Sequence, residues 1–184
     1  MLLHTCCAVC ALPIIEYLLR QEKVKDITLY FYNPNIYPEQ EYNKRLKDVE
    51  KISKIYKLKL IKGIYEYDKW LEYIKKSLPQ SPEKYLENSE RCLSCFRFRL
   101  EETVEFAQKN NFNEFSTTLS VNRFKDTEFI NKYGKSLANK YKIKYKKFDI
   151  DFNKAYGLGL KLSKKYNLYR QKYCGCEYSS NKVL

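Results

Sequence analysis

Two spacings of apolar residues alternate along this chain: short apolar runs, and longer segments with an apolar residue every three or four positions. The run Met1–Thr5 predicts a short buried strand. Leu12, Ile15, Leu18 and Leu19 fall at helical spacing and predict a helix over Ala11–Glu22. Asp26–Tyr32 predicts a second strand, ended by Asn33-Pro34-Asn35. A charged amphipathic helix is predicted over Glu39–Tyr56, a third strand over Leu58–Ile64, and a helix over Tyr67–Leu78 that Pro79 and Pro82 break. The second half predicts a helix over Cys92–Asn110, a strand over Glu114–Leu119, a helix over Lys125–Tyr141, a strand over Ile143–Ile150 and a helix over Lys154–Tyr166.

Strands that alternate with helices predict an α/β fold: a single Rossmann-like parallel five-stranded sheet with helices on both faces. A chain of 184 residues without repeats or low-complexity linkers reads as one domain over 1–184. Within it, 79–90 reads as a mobile loop and 167–184 as a C-terminal segment carrying the last cysteines. Several chemistry-bearing stretches fall at the carboxyl ends of predicted strands, where open parallel sheets form their ligand crevice. These are the thiols after strand one, Asn33 and Asn35 after strand two, Ser116–Ser120 after strand four, and Asp149 and Asp151 after strand five.

Composition narrows the partners. No apolar run reaches the roughly 18 residues of a membrane span. The opening lacks the basic start and apolar core of a secretion signal, so the expected compartment is the reducing cytoplasm. The net charge of +13 suits a polyanion, nucleic acid above all, although lysines spread along the whole chain also fit a merely solvated surface. Eighteen tyrosines and ten phenylalanines supply core packing and faces for stacking bases. There is no GxGxxG and no GxxxxGK[ST], so nucleotide cofactors are not indicated.

The chemistry lies in seven cysteines, arranged in three clusters. Cys6, Cys7 and Cys10 form CCxxC, Cys92 and Cys95 form CxxC, and Cys174 and Cys176 form CxC around Gly175. In a reducing compartment, thiols grouped this way hold soft metals or perform redox chemistry. The irregular spacing favours an iron–sulfur cluster over a structural zinc site. Adjacent Cys6 and Cys7 are expected to point at different atoms, hence to serve two metals, or one of them is a structural thiol. Arg170 could grip a phosphate or carboxylate. His4, the only histidine, is either a packed strand residue or a proton donor, and Asp149 is either a cap or an acid.

These residues together resemble a known family, the cobalamin-independent epoxyqueuosine reductases of QueH type, over nearly the whole chain. The carriers are Leu3-His4-Thr5-Cys6-Cys7-Ala8-Val9-Cys10, Phe31-Tyr32-Asn33-Pro34-Asn35-Ile36, and Glu41-Tyr42 with Arg45. To these are added Glu90-Arg91-Cys92-Leu93-Ser94-Cys95-Phe96 with Arg99-Leu100, Thr117-Thr118-Leu119, and Leu168-Tyr169-Arg170-Gln171 leading into Tyr173-Cys174-Gly175-Cys176-Glu177-Tyr178-Ser179. The departures are Val9 for the commoner proline, Phe96 for tyrosine, and Val121–Phe124 before a retained Lys125.

The resemblance implies a nucleotide-hydrolase-like (HUP) sheet and an oxidoreductase that reduces epoxyqueuosine in tRNA to queuosine. It implies a 4Fe-4S cluster with a second metal, iron, beside it, and an external electron donor. The division expected of the thiols is Cys7, Cys92, Cys95 and Cys174 on the cluster, with Cys6, Cys10 and Cys176 on the second metal. His4 or Asp149 would supply protons, and Asn33, Asn35 and Arg170 would bind substrate. The competing expectations are a zinc-stabilised RNA-binding module and a tRNA sulfur-transfer enzyme.

Overall fold

The computed structural model describes residues 1–24, 26–122 and 125–179. Arg123 and Phe124, in the stretch that departs from the family pattern, lie outside the described residues, as does 180–184 of the C-terminal segment.

Five parallel strands form one sheet in the order β3-β2-β1-β4-β5. They are β1 (Leu2–His4), β2 (Thr28–Phe31), β3 (Lys59–Lys62), β4 (Glu114–Thr117) and β5 (Lys144–Tyr145). Six α-helices connect and cover them: α1 (Ala8–Arg20), α2 (Glu39–Ile55), α3 (Tyr67–Ser77), α4 (Glu90–Lys109), α5 (Thr127–Tyr141) and α6 (Phe152–Lys165). The predicted α/β architecture is therefore the observed one.

Strand alternation sorts side chains onto two faces. Leu2, Tyr30, Tyr32 and Phe115 pack with apolar residues of α3, α4 and α5. Leu3, Leu29 and Phe31 pack with α1, α2 and α6. The central strands are buried on both sides, which explains why they read as continuous apolar runs rather than an alternating pattern. β1 pairs with β2 on one side and β4 on the other, and the chain's direction of winding reverses there. The crevice of such a sheet opens at the carboxyl ends of those two strands.

Most predicted ends shift by one to three residues, and two of the shifts bear on the site. The first helix begins at Ala8, with Cys7 in extended backbone as its N-cap, so Cys10 sits in the first helical turn. The fifth strand shrinks to Lys144–Tyr145. β4 cannot extend the pairing, because Thr117 accepts the Leu119 N–H through its hydroxyl and turns the chain into a 3-10 helix. Past that point Phe148 packs on Tyr17 of α1, and Asp151 caps α6 by accepting from the N–H groups of Asn153 and Lys154. Neither Asp149 nor Asp151 ends a strand.

Candidate metal centre

The floor of the crevice is His4, the last residue of β1. It stands opposite Thr117 in the β1–β4 register and is fully buried. Its Nε2 lies 3.0 Å from the Tyr32 carbonyl, which can only accept, so the proton sits on Nε2. Nδ1 then accepts from the Thr117 hydroxyl at 2.7 Å. Burial and the Arg99 charge hold its pKa down at about 3, so the ring is neutral at physiological pH. Beside it Asn33 receives a bond from Arg99, donates to the Thr5 carbonyl at 2.9 Å, and is buried. His4 and Asn33 thus brace the crevice floor: His4 does not line the cleft, and the amide of Asn33 is already engaged.

On this floor the first three thiols converge. The sulfurs of Cys6, Cys7 and Cys10 all lie within 4.8 Å of one another, and those of Cys6 and Cys7 are 3.9 Å apart. Thiolates around one tetrahedral ion at Zn–S distances stand about 3.8 Å apart. Cys6 leaves a strand and Cys7 caps a helix, so the turn of the chain brings both sulfurs inward although the residues are adjacent. Thr118 ties the turn to β4, accepting the Cys6 N–H at 3.1 Å and donating to its sulfur at 3.3 Å. Gln171 donates to the Cys7 sulfur at 3.0 Å. The thiols of Cys10 and Cys7 hydrogen-bond to Cys6, and with the Lys125 and Arg99 charges they pull its pKa well below the usual thiol value. Those same contacts to Cys6, together with burial, push Cys10 well above it. Of the three, Cys6 is the thiol that ionises most readily.

The other four thiols come from the opposite layer and the C-terminal segment. Cys92 and Cys95 lie on the first turns of α4, one helical turn apart. Leu168 packs on the face holding α1, α2 and α6, whereas Cys176 and Tyr178 pack on the other. The C-terminal segment thus crosses over the carboxyl edge of the sheet and carries Cys174 and Cys176 to α4. Burial first, then the Cys174 charge, pushes Cys92 up to about 11 and Cys176 up to about 12. Burial also raises Cys95, against the opposing charge of Arg99. Among the described residues, no three of these four sulfurs come within 4.8 Å of one another.

The structure therefore groups the thiols as Cys6, Cys7 and Cys10 on one side and Cys92, Cys95, Cys174 and Cys176 on the other. Cys7 and Cys176 exchange places relative to the division expected from the sequence. One cleft, of about 570 Å³ including its open mouth, joins the groups: Cys6, Cys7, Cys10, Cys92 and Cys174 line it. The donor chemistry fits soft metal ions. Three sulfurs at single-ion spacing leave a fourth position open to the cleft. The wider set of four suits a polynuclear cluster whose own sulfides fill the space between thiolates. The buried Nε1 of Trp70 has no hydrogen-bond partner and lies beside that set.

Other predicted site residues fare differently. Asn35 is buried and lines the cleft beside Ile36. Arg170 is exposed and not among the lining residues, whereas its neighbour Gln171 is. Asp149 is exposed and acts on Tyr17 in the body of α1, away from the cleft. The sequence reading gave no role to Lys125, a cleft residue whose Nζ lies 3.6 Å from the Cys174 sulfur and 5.5 Å from the centre of the Phe96 ring. The thiolate charges of Cys174 and Cys6 outweigh burial and raise its pKa, so it stays protonated. The 79–90 segment is tied to α4 by Arg91, which donates to the carbonyls of Pro82 and Tyr85, and the Asn88 N–H faces the Cys92 sulfur at 3.3 Å.

A family model described as epoxyqueuosine reductase QueH matches residues 1–182. Among curated proteins bearing that name, one from Thermotoga maritima is 38% identical across 97% of this chain and 88% of its own length. One from Acinetobacter baylyi is 36% identical across 97% of this chain and 79% of its own. A third, from Staphylococcus epidermidis, is 34% identical across 98% and 76%.

Proposed function

The chain belongs to the epoxyqueuosine reductase QueH family, and on that premise we propose that it reduces epoxyqueuosine in tRNA to queuosine with a 4Fe-4S cluster and an adjacent iron. The observation that carries the reading is that thiols from three distant stretches of sequence, Cys6, Cys7 and Cys10, Cys92, and Cys174, line one cleft, with Cys95 and Cys176 in the same two later stretches. Cys92, Cys95, Cys174 and Cys176 would hold the cluster, and Cys6, Cys7 and Cys10 the single iron. When bound, these groups supply two electrons, drawn from an external one-electron donor, and a Lewis acid for the epoxide oxygen. The balance is epoxide plus two electrons and two protons, giving the cyclopentene and water; both C–O bonds of the ring break.

The chain's own residues prepare this chemistry. Lys125 holds a proton inside the cleft, next to both thiol groups, and takes the place of His4 and Asp149 as the group that faces the departing oxygen. The neutral His4 braces the floor from below, and the Arg99–Asn33 contact forms part of the cleft lining itself. Asn35, Gln171 and Tyr173 line the wall that the substrate would meet. No helix among the described residues is long and apolar enough to cross a membrane. Exposed Lys44, Lys47 and Lys51 of α2 and Lys164, Arg170 and Lys172 lie around the C-terminal segment, a basic border for the tRNA backbone.

Anaerobic purification followed by metal analysis and turnover of epoxyqueuosine-containing tRNA tests the reading. The expected protein is brown, holds iron and sulfide, and forms queuosine when given a low-potential reductant. A colourless zinc protein without turnover would overturn it in favour of a zinc-stabilised RNA-binding module.

A further inference from the structure

We propose that the buried Glu41–Arg45 pair of α2 is the positioning device for the C-terminal thiols, the clasp that sets Cys174 and Cys176 against α4. The inference rests on the metal-binding reading above and goes beyond it in naming what builds the second half of the site.

Residues 169–175 form no strand or helix, so no ladder of backbone bonds places them. Their hold is on α2. Arg45 sits 4% exposed and gives Nε to Glu41 at 2.7 Å, Nη1 to the Cys174 carbonyl at 2.9 Å and Nη2 to the Tyr173 carbonyl at 3.2 Å. Its guanidinium also lies 5.3 Å from the centre of the Tyr173 ring. The second Glu41 oxygen accepts from the Tyr169 hydroxyl at 3.0 Å, and Asp48 accepts the Tyr169 N–H at 2.6 Å. Where the chain leaves α2's N-terminus, Tyr37 donates its N–H to the Gly175 carbonyl at 2.8 Å and accepts the Tyr173 hydroxyl at 2.9 Å.

Gly175 shows how close the fit is. Its φ is +116°, and a Cβ there would stand 2.8 Å from Arg45 Nη1. The residue between two ligands thus lies against the guanidinium that orients both. A planar fork donating to two successive carbonyls fixes position and direction of that turn, which a lysine ammonium cannot do. Removing the fork leaves two carbonyls without donors and a buried carboxylate without its partner. Cys6, Cys7 and Cys10 are carried by β1 and α1, and the segment meets them through the Gln171 amide, which donates to the Cys7 sulfur at 3.0 Å.

The test compares full-length wild type, Arg45→Lys and the double variant Cys174→Ser/Cys176→Ser, all purified anaerobically. Iron and sulfide per chain are measured, and the metal-free chains undergo limited proteolysis, with circular dichroism as a check on the fold. Arg45→Lys is expected to fall to the iron content of the double variant, and to become cleavable within 167–173 while α/β content is kept. Wild-type iron together with wild-type protease resistance overturns the proposal. If the double variant itself keeps wild-type iron, the metal role of the segment fails, and the proteolysis alone then judges the clasp. Should Arg45→Lys misfold, Glu41→Gln, which preserves the shape of the carboxylate, carries the same expectation with a smaller loss.

Discussion

The two thiol groups of this protein are assembled from opposite kinds of structure. Cys6, Cys7 and Cys10 fall within five consecutive positions at the end of a central strand and the start of the helix that follows, and a single local turn gathers them. Cys92, Cys95, Cys174 and Cys176 join two stretches some eighty residues apart, held together by buried charges on a helix that contributes no sulfur. Local geometry yields single-ion spacing, whereas assembly from two elements yields a wider set. A site built the first way survives most distant changes, and one built the second way depends on whatever docks its parts.

Substitutions can separate the two. Lys125 lies against Cys174 and its charge acts on Cys6, so Lys125→Met should lower turnover most, by about a hundredfold, while iron content changes little. Iron loss from both groups would mean that the lysine is structural. Gly175→Ala forces a left-handed position and a clash with Arg45, a cost of about 1–3 kcal/mol. Quantified iron and sulfide should show selective loss from the four-thiol set. Gly159→Ala is its counterpart: a Cβ there would meet the Val9 carbonyl at 2.6 Å, pushing α6 away from the turn that carries Cys10. It should cost about 1–3 kcal/mol and disturb the three-thiol group first; equal loss from both groups after either change would erase the distinction.

A gentler probe uses His4, whose folded pKa of about 3 lies below the ordinary 6.5. Between those values the unfolded chain binds the extra proton and the folded one does not, so stability falls as pH drops from 6.5 towards 3. In denaturant melts of the metal-free chain, His4→Asn should flatten that slope. The smallest effect is expected at the surface: Lys44→Glu/Lys47→Glu should weaken tRNA binding and reduce its salt dependence by about two counterions, with iron unchanged in either group.

Much of this was legible in the chain. The two apolar spacings locate every strand and helix, and the thiols fall at strand ends where a parallel sheet opens. β5 was overextended because its length is set by β4, and the hydroxyl of Thr117 that stops β4 leaves no mark on the apolar pattern of Ile143–Ile150. Glu41 and Arg45 look like any exposed i,i+4 pair on a charged helix; only the segment docked more than a hundred residues later buries them. His4 reads as either a packed strand residue or a proton donor until the register places Thr117 beside it. Cys6 and Cys7 converge although alternation along a strand sends neighbours apart, because the alternation has already ended at His4.

The buried indole of Trp70 turns the protein into its own indicator. It is the only tryptophan, 1% exposed, and it stands beside Cys95 of the wider thiol set. All indole fluorescence from this chain therefore originates beside Cys95 of one group. Iron filling the four-thiol set should quench that emission, while an ion confined to Cys6, Cys7 and Cys10 should leave most of it. The order in which the two groups fill can thus be followed by light alone, without a label.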